Sequence, residues 1–281
     1  MKKIALAVNT FETNVNRFKV ANESYKRLNG LDEVDVYDIQ ETGIKGKFNT
    51  VDKLERTSRD SIEGSTKKLP FVNDLFNIAA DLDYEYFIVT NADVMISPRL
   101  IKHILDNNIT AMSCSRLDVH PVKNINDDMK PVRWEVAGHD TFCFKTDWFK
   151  KYSILFEDFL LGKPVYDQHY AALMKIFGNN DSFGNKNPAF CLHEHHGISA
   201  VTTKDVEQKY NFDQYNNSEL AQTYKHVWDD YLQEVLLKRL PWMSFLRETE
   251  NEEEVERNFF ENKIHTLTGN INDHKKKYKI V

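Results

Sequence analysis

A chain of 281 residues with 41% hydrophobic and 28% charged residues fits one large domain, or a domain with an appendage, of ordinary globular composition. The formal net charge of −6 removes any global attraction to a phosphate backbone, which makes nucleic acid a poor default partner. No apolar run approaches the ~20 residues needed to cross a bilayer. The apolar stretch from Ile4 to Val8, after Met1-Lys2-Lys3, is too short for a secretory signal, so a cytoplasmic protein is expected. Cys114, Cys143 and Cys191 lie far apart inside apolar stretches with no CxxC pair, which argues against a zinc ribbon or a disulfide framework.

Strand-like runs alternate with helical patterns in the N-terminal part, the mark of an α/β layer arrangement. Ile4 to Val8 reads as a short buried strand, Asn14 to Leu28 as a helix stopped by Asn29-Gly30, and Val34 to Ile39 as a second strand. Thr42 to Lys68 holds seven bases against four acids, so it is expected as a long, locally basic loop with a short helix. Pro70 opens a helix with Phe71, Leu75, Ile78 and Leu82 at helical spacing. Tyr84 to Thr90 is a central strand. Ser97-Pro98 then caps a helix whose apolar face is Leu100, Ile101, Ile104 and Leu105. Ile109 to Cys114, Asp140 to Phe144 and Phe190 to His193 are the remaining strand candidates. From Ser218 a long amphipathic helix carries Leu220, Tyr224, Val227, Trp228, Tyr231 and Val235 in one stripe, read as core packing. Residues 247–263, with seven Glu against three bases, and the basic end from Lys275 to Lys279 read as solvated charge runs.

The most informative stretch is Tyr86-Phe87-Ile88-Val89-Thr90-Asn91-Ala92-Asp93-Val94, followed by Ser97-Pro98. A buried strand ends there, and open α/β sheets bind ligands outside the carboxyl ends of their strands. Residues two apart in an extended segment project to one side, so Asn91 and Asp93 face a common site. A carboxylate and an amide oxygen suit a hard divalent cation that also holds a diphosphate. The plain alternative is a turn that needs no metal.

On these residues the chain resembles the GT-A fold of nucleotide-sugar glycosyltransferases over roughly residues 4–200. Asn91-Ala92-Asp93 stands where that family carries its D-x-D metal motif, with Asn in place of the first Asp. Gly138-His139-Asp140-Thr141-Phe142-Cys143-Phe144 looks like the family's acceptor-side segment, where an acid after a glycine approaches the reacting sugar. Gly162-Lys163-Pro164-Val165-Tyr166-Asp167 looks like a following segment with an Asp just before a helix. His193-Glu194-His195-His196 resembles the late histidine that completes the metal site. The resemblance implies a GT-A-like (Rossmann-like) mixed α/β sheet flanked by helices over 1–205, with a donor half at about 1–95 and an acceptor half at about 96–205. A helical C-terminal extension with a charged tail is expected at 206–281.

The same resemblance implies a metal-dependent transfer of a sugar from a nucleotide-diphosphate sugar, with a UDP-sugar as the expected donor, to an acceptor hydroxyl. Asp93 with His193 or His195 is expected to hold Mn2+ or Mg2+, and His196 to be dispensable, because an extended segment places His193 and His195 on one face and His196 on the other. An imidazole beside a carboxylate suits manganese better than calcium. Asn9, Asn91 and the basic Arg56, Arg59 and Lys68 are expected on the donor. Asp140 ranks first and Asp167 second as the general base, each with a capping role as its bland alternative. Inversion is the simpler stereochemical outcome, because it needs one base and a direct displacement. The acceptor stays open among glycans, lipids, protein side chains and modified nucleic acid. Two other readings remain: a nucleotidyltransferase, disfavoured because no glycine follows the first strand in Asn9-Thr10-Phe11-Glu12, and a non-catalytic sugar-nucleotide or glycan-binding protein.

Overall fold

Five residues without a charge, Ile4-Ala5-Leu6-Ala7-Val8, tolerate burial on both faces, and they form β1 (Ile4–Val8), buried throughout. The computed structural model describes residues 2–178, 190–196, 205–231 and 250–280. Strand β1 pairs in parallel with β2 (Val34–Glu41) and with β4 (Tyr86–Thr90). The helix α1 (Asn16–Asn29) forms the crossover between β1 and β2. A further parallel strand, β3 (Asn49–Leu54), pairs with β2 at the sheet edge. It lies inside the stretch expected to be loop. Its side chains are mostly exposed, so neither alternation nor an apolar run marked it. The short helix expected there is α2 (Ser58–Ser61), closed by a reciprocal capping box between Thr57 and Asp60.

Pro70 precedes the next helix rather than opening it: α3 (Val72–Ala80) follows Phe71 as its cap and buries Val72, Leu75, Phe76, Ala79 and Ala80. After β4 the chain makes a three-residue strand, β5 (Val94–Ile96), and then α4 (Pro98–Asp106), where the Ser97 hydroxyl accepts from the Arg99 amide as expected. Strand β6 (Ala111–Val119) and strand β7 (Pro131–Lys145) form an antiparallel pair that extends well past the expected segments. The missed part, 131–139, alternates poorly because register shifts at Ser115 and Arg116 twist the ladder there. Strand β7 also pairs antiparallel with β4, and β8 (Cys191–Glu194) lies parallel to β6 and antiparallel to β5. The result is one eight-stranded mixed sheet in the order β3-β2-β1-β4-β7-β6-β8-β5 flanked by helices, the α/β architecture expected.

Each face of the sheet carries its own core. One face packs α1 and α4 against Leu6, Ile88 and Cys114. The other is aromatic. Phe76 of α3 meets the rings of Phe87, Phe142 and Phe144 from the strands, of Phe149 from α5 (Thr146–Tyr152), of Phe156 beyond it, and of Tyr170 from α6 (Tyr166–Phe177), at centroid distances from 4.9 Å to 6.5 Å. The C-terminal helices α7 (Val206–Asn217), α8 (Glu219–Tyr231) and α9 (Glu250–Lys277) add to this same core through Leu220, Tyr224, Val227, Tyr231, Phe260 and Ile271. Most of the expected α8 stripe is therefore core. Val235 and residues 247–249 lie outside the described residues. No helix among the described residues is long and apolar enough to cross a membrane.

Phe76 is fully buried at the centre of this aromatic cluster, and removing its ring leaves a cavity that six other rings cannot all collapse into. Phe76→Ala is expected to destabilise the protein by about 3–5 kcal/mol, read as a lower midpoint in urea denaturation with an unchanged slope.

Candidate active site

The order 3-2-1-4 within the parallel block makes the chain leave β1 in opposite directions to reach β2 and β4. The crevice at such a switch point opens at the carboxyl ends of β1 and β4, where α/β sheets take their ligands. Asn9 follows β1 and Asn91 to Asp93 follow β4, so both fall on this crevice. A cavity of about 720 Å3 opens there. Its walls include Asn9, Asn91, Asp93, Lys68, Arg116, Asp140, Lys163, Asp167, His193 and His196.

Asp93 sits in the tight connection between β4 and β5. The Asn91 carbonyl accepts from the Val94 amide at 3.2 Å, and the buried Tyr25 hydroxyl lies within donating distance of the Asn91 and Val94 carbonyls, at 2.9 and 2.7 Å. The antiparallel register sets Val94 opposite His193, which brings that imidazole to the carboxylate. His193 Nε2 lies 3.5 Å and His196 Nε2 3.9 Å from Asp93 Oδ2. Ligand atoms of Asp93, His193 and His196 all fall within 4.8 Å of one another. Behind them the buried Asp118 takes His193 Nδ1 at 3.1 Å, which fixes the ring so that Nε2 faces Asp93. A metal-binding imidazole needs this arrangement. One carboxylate and two imidazoles, of which His193 is held by a carboxylate behind it, fit a first-row divalent cation such as Mn2+ better than Ca2+.

The electrostatics agree. Burial alone would push the Asp93 and Asp118 carboxyls up. For Asp93, His193 and Arg17 outweigh it and hold the carboxyl below its usual range; for Asp118, His193, Arg133, Arg116 and His195 do the same. Burial pulls the His193 imidazole down, but the Asp118 and Asp93 carboxylates more than offset this and raise it.

His195 departs from expectation. Strand β8 ends at Glu194, so the alternation of an extended segment stops before it can carry His195 to the face of His193. The His195 amide instead donates to the Val119 carbonyl at 2.8 Å, and its Nδ1 turns to Asp118 Oδ2 at 3.2 Å. The irregular segment after β8 places His196, expected to be dispensable, 3.9 Å from Asp93 instead.

On the other side of the pocket Asp140 and Asp167 differ in how free they are. Asp140 Oδ1 accepts from Asn91 Nδ2 at 2.6 Å, and Oδ2 is held in an ion pair by Arg116. Gly138 leaves the room for that guanidinium: a Cβ there would lie 3.1 Å from Arg116 Nη1 and 3.0 Å from Glu135 Cγ. Asp167 stands in the first turn of α6. The chain enters that helix through Val165, whose φ of +76° is costly for a β-branched residue. One Asp167 oxygen accepts from the His139 amide at 3.3 Å, and burial pushes the carboxyl up to about 6 despite the backbone donors around it.

The basic residues divide as well. Lys68 reaches the pocket wall, paired with Glu41 at 2.6 Å. Arg56 does not: its guanidinium is clamped between Asp74 and Asp158 over the Phe71 ring, tying α3 to the segment before α6. Arg59 is half exposed with its Nε 3.9 Å from Asp60 and is not among the lining residues. Both were expected on the donor because their stretch was read as one loop over the site. In the structure β3 carries that stretch to the sheet edge. No role was expected for Arg116, Asp118 or Lys163, and His196 was expected to be dispensable. A strand register shift beside Arg116 aims it inward, and no local pattern announces such a shift.

No known sequence family matches the chain. No curated protein matches it either. Solved structures give distant likenesses. TarS of S. aureus in complex with UDP-GlcNAc is 14% identical, with 89% of this chain covering 77% of that one at a TM-score of 0.46. The mannosyltransferase PcManGT of Pyrobaculum calidifontis in complex with GDP-Man and Mn2+ is 15% identical, covering 73% and 58% at 0.40. A mutant β-1,4-galactosyltransferase 7 of Drosophila with manganese, UDP-Gal and xylobiose is 11% identical, covering 74% and 80% at 0.40. Likenesses this distant carry no weight in assigning a function, which is left to the site itself.

The geometry separates the three histidines experimentally. His196→Ala, which removes a ligand, is expected to weaken Mn2+ binding by more than the ~10–100-fold typical of an outer-shell partner, and His195→Ala, whose ring pairs with Asp118, by much less. Titration calorimetry of each variant with Mn2+ alone checks this. Equal losses in both would return His195 to the metal.

Proposed function

We propose that the protein is a metal-dependent glycosyltransferase that uses a nucleotide-diphosphate sugar, with a UDP-sugar as the first donor to try. The observation that carries this reading is the sharing of one switch-point cavity by two kinds of group: the Asp93–His193–His196 cluster and a carboxyl, Asp167, whose pKa is pushed to about 6. Asp93, His193 and His196 would hold the cation. A divalent cation bound there supplies Lewis-acid neutralisation of the departing nucleoside diphosphate. Lys68 and Lys163 stand on the same wall, paired with Glu41 and Asp205, and an anionic donor would have to share them with those carboxylates.

Between the two acids, the roles expected from the sequence are exchanged. Both oxygens of Asp140 are engaged by Asn91 and Arg116, so it is suited to hold a fixed carboxylate against the sugar or acceptor. Asp167 accepts from backbone amides, and burial still raises its basicity toward neutrality, which suits a general base. In the proposed step the acceptor oxygen attacks the anomeric carbon and its proton passes to Asp167. The bond from that carbon to the diphosphate oxygen breaks, its electron pair leaving with the diphosphate. A direct displacement of this kind inverts the anomeric centre.

Donor cleavage with Mn2+ and a UDP-sugar tests the metal end: Asp93→Ala is expected to lose both turnover and the Mn2+-dependent rise in melting temperature. Asp167→Asn tests the base. Its turnover is expected to fall by about 10²–10⁴-fold with donor affinity nearly unchanged. In the parent protein kcat/KM should climb with pH up to about 6 and then level.

A stability measurement adds an independent check. The folded Asp167 binds its proton more tightly than the unfolded chain does. This favours folding fully below the unfolded carboxyl pKa and is lost as pH rises through about 6. At pH 8 the inactive Asp167→Asn protein should therefore be the more stable one, by up to about 3 kcal/mol. A variant both slow and destabilised would mark Asp167 as a helix cap only.

A further inference from the structure

The chemistry above leaves one charged neighbour of the metal cluster unused. Arg17 stands in the first turn of α1, with its Nε 3.2 Å from Asp93 Oδ2. That oxygen is the one that faces His193 Nε2 at 3.5 Å and His196 Nε2 at 3.9 Å. Arg17 and a divalent cation therefore lay claim to the same atom. A cation ligated by Asp93 and the two imidazoles would sit about 2.0–2.2 Å from its ligand atoms. A guanidinium hydrogen-bonded to that carboxylate oxygen would then lie close enough for like charges to oppose each other, as they do within about 4–6 Å.

The pair is also placed so that it matters. The Arg17 side chain is 24% exposed and that of Asp93 18%, so neither charge is fully screened by water. A carboxylate this deep needs partners, and beside His193 it is Arg17 that provides a permanent charge without a metal. The guanidinium has a second support in the same position, one that does not depend on Asp93. Its Cζ lies 4.7 Å from the centroid of the Phe18 ring, and Phe18 lines the pocket.

We propose that Arg17 is the cationic occupant of the metal site in the metal-free protein: it neutralises Asp93 until a divalent cation takes that oxygen, and then gives up that contact while keeping its place over the Phe18 ring. This rests on the metal-site reading of Asp93, His193 and His196. Its consequence is that Arg17 lowers the affinity for the metal instead of supporting it, while stabilising the empty site.

Titration calorimetry with Mn2+ alone, on the full chain, tests it. Arg17→Gln is expected to bind Mn2+ about tenfold more tightly than the parent, and Arg17→Met, which keeps the stem, to do the same. Without metal both variants should melt below the parent, and saturating Mn2+ should close that gap. Arg17→Lys, which keeps the charge, should stay within about twofold of the parent affinity. Unchanged or weaker Mn2+ binding in the Gln and Met variants overturns the proposal. If the parent binds Mn2+ and Asp93→Ala does not, that failure belongs to Arg17 alone. If the parent itself shows no Mn2+ binding, the metal-site reading falls and this inference with it.

Discussion

One buried carboxylate, Asp118, ties the two ends of the site together. It takes His193 Nδ1 and Arg116 Nε on one oxygen and Arg133 Nε and His195 Nδ1 on the other, at 3.0 to 3.2 Å. Only 1% of Asp118 is exposed, so an anion there persists because four donors surround it. Through His193 it aims an imidazole at Asp93. Through Arg116 it steadies the guanidinium that holds Asp140. The metal cluster and the acid wall are therefore not two independent features: a shift of Asp118 would move both.

The sheet explains why the groups can be held this closely. Asp93 comes from the connection between β4 and β5, His193 from β8, Asp118 and Arg116 from β6 and Asp140 from β7, and all of these strands belong to one hydrogen-bonded sheet. Parallel pairing of β6 with β8 puts Asp118 opposite His193, and antiparallel pairing of β5 with β8 puts Val94 opposite the same residue. Register, set by the buried faces, thus fixes side-chain separations to within what hydrogen bonds require. The aromatic cluster around Phe76 supports this from behind, since Phe142 and Phe144 on β7 and Tyr170 on α6 pack there while Asp140 and Asp167 on the same elements reach the pocket.

What was legible in the sequence follows the same physics. The strand ending at Asn91 and Asp93, the Ser97-Pro98 cap and the α8 stripe are local patterns, and each shows in a short window of residues. The edge strand β3 was not legible, because an exposed strand has no apolar periodicity to display. Nor were His196 and Arg116. Both owe their place to an interruption of regular structure, the end of β8 in one case and the shifted register of β6 in the other. Extrapolating a period past the point where the backbone keeps it exchanged His195 for His196. Arg56 shows the converse error: a basic residue in a basic stretch looked free to meet a phosphate, yet two carboxylates and a ring already hold it.

The two acids differ in their surroundings in ways that residue type alone does not show. Asp140 follows a glycine and lies on a strand, which made it look poised. That glycine serves Arg116, whose guanidinium needs the space a Cβ would fill, and the ion pair it allows leaves Asp140 without a free oxygen. Asp167 looked like a helix cap. It lies inside the first turn of α6, beyond Val165, a residue held at φ +76° against its own preference. Backbone strain persists only where the surrounding structure over-determines it. Here the strained residue lies two positions before the carboxyl that burial brings near neutrality, at the wall of the cavity that also holds the histidine cluster. An N-cap alone would call for neither the strain nor the burial. The general base proposed above would account for both.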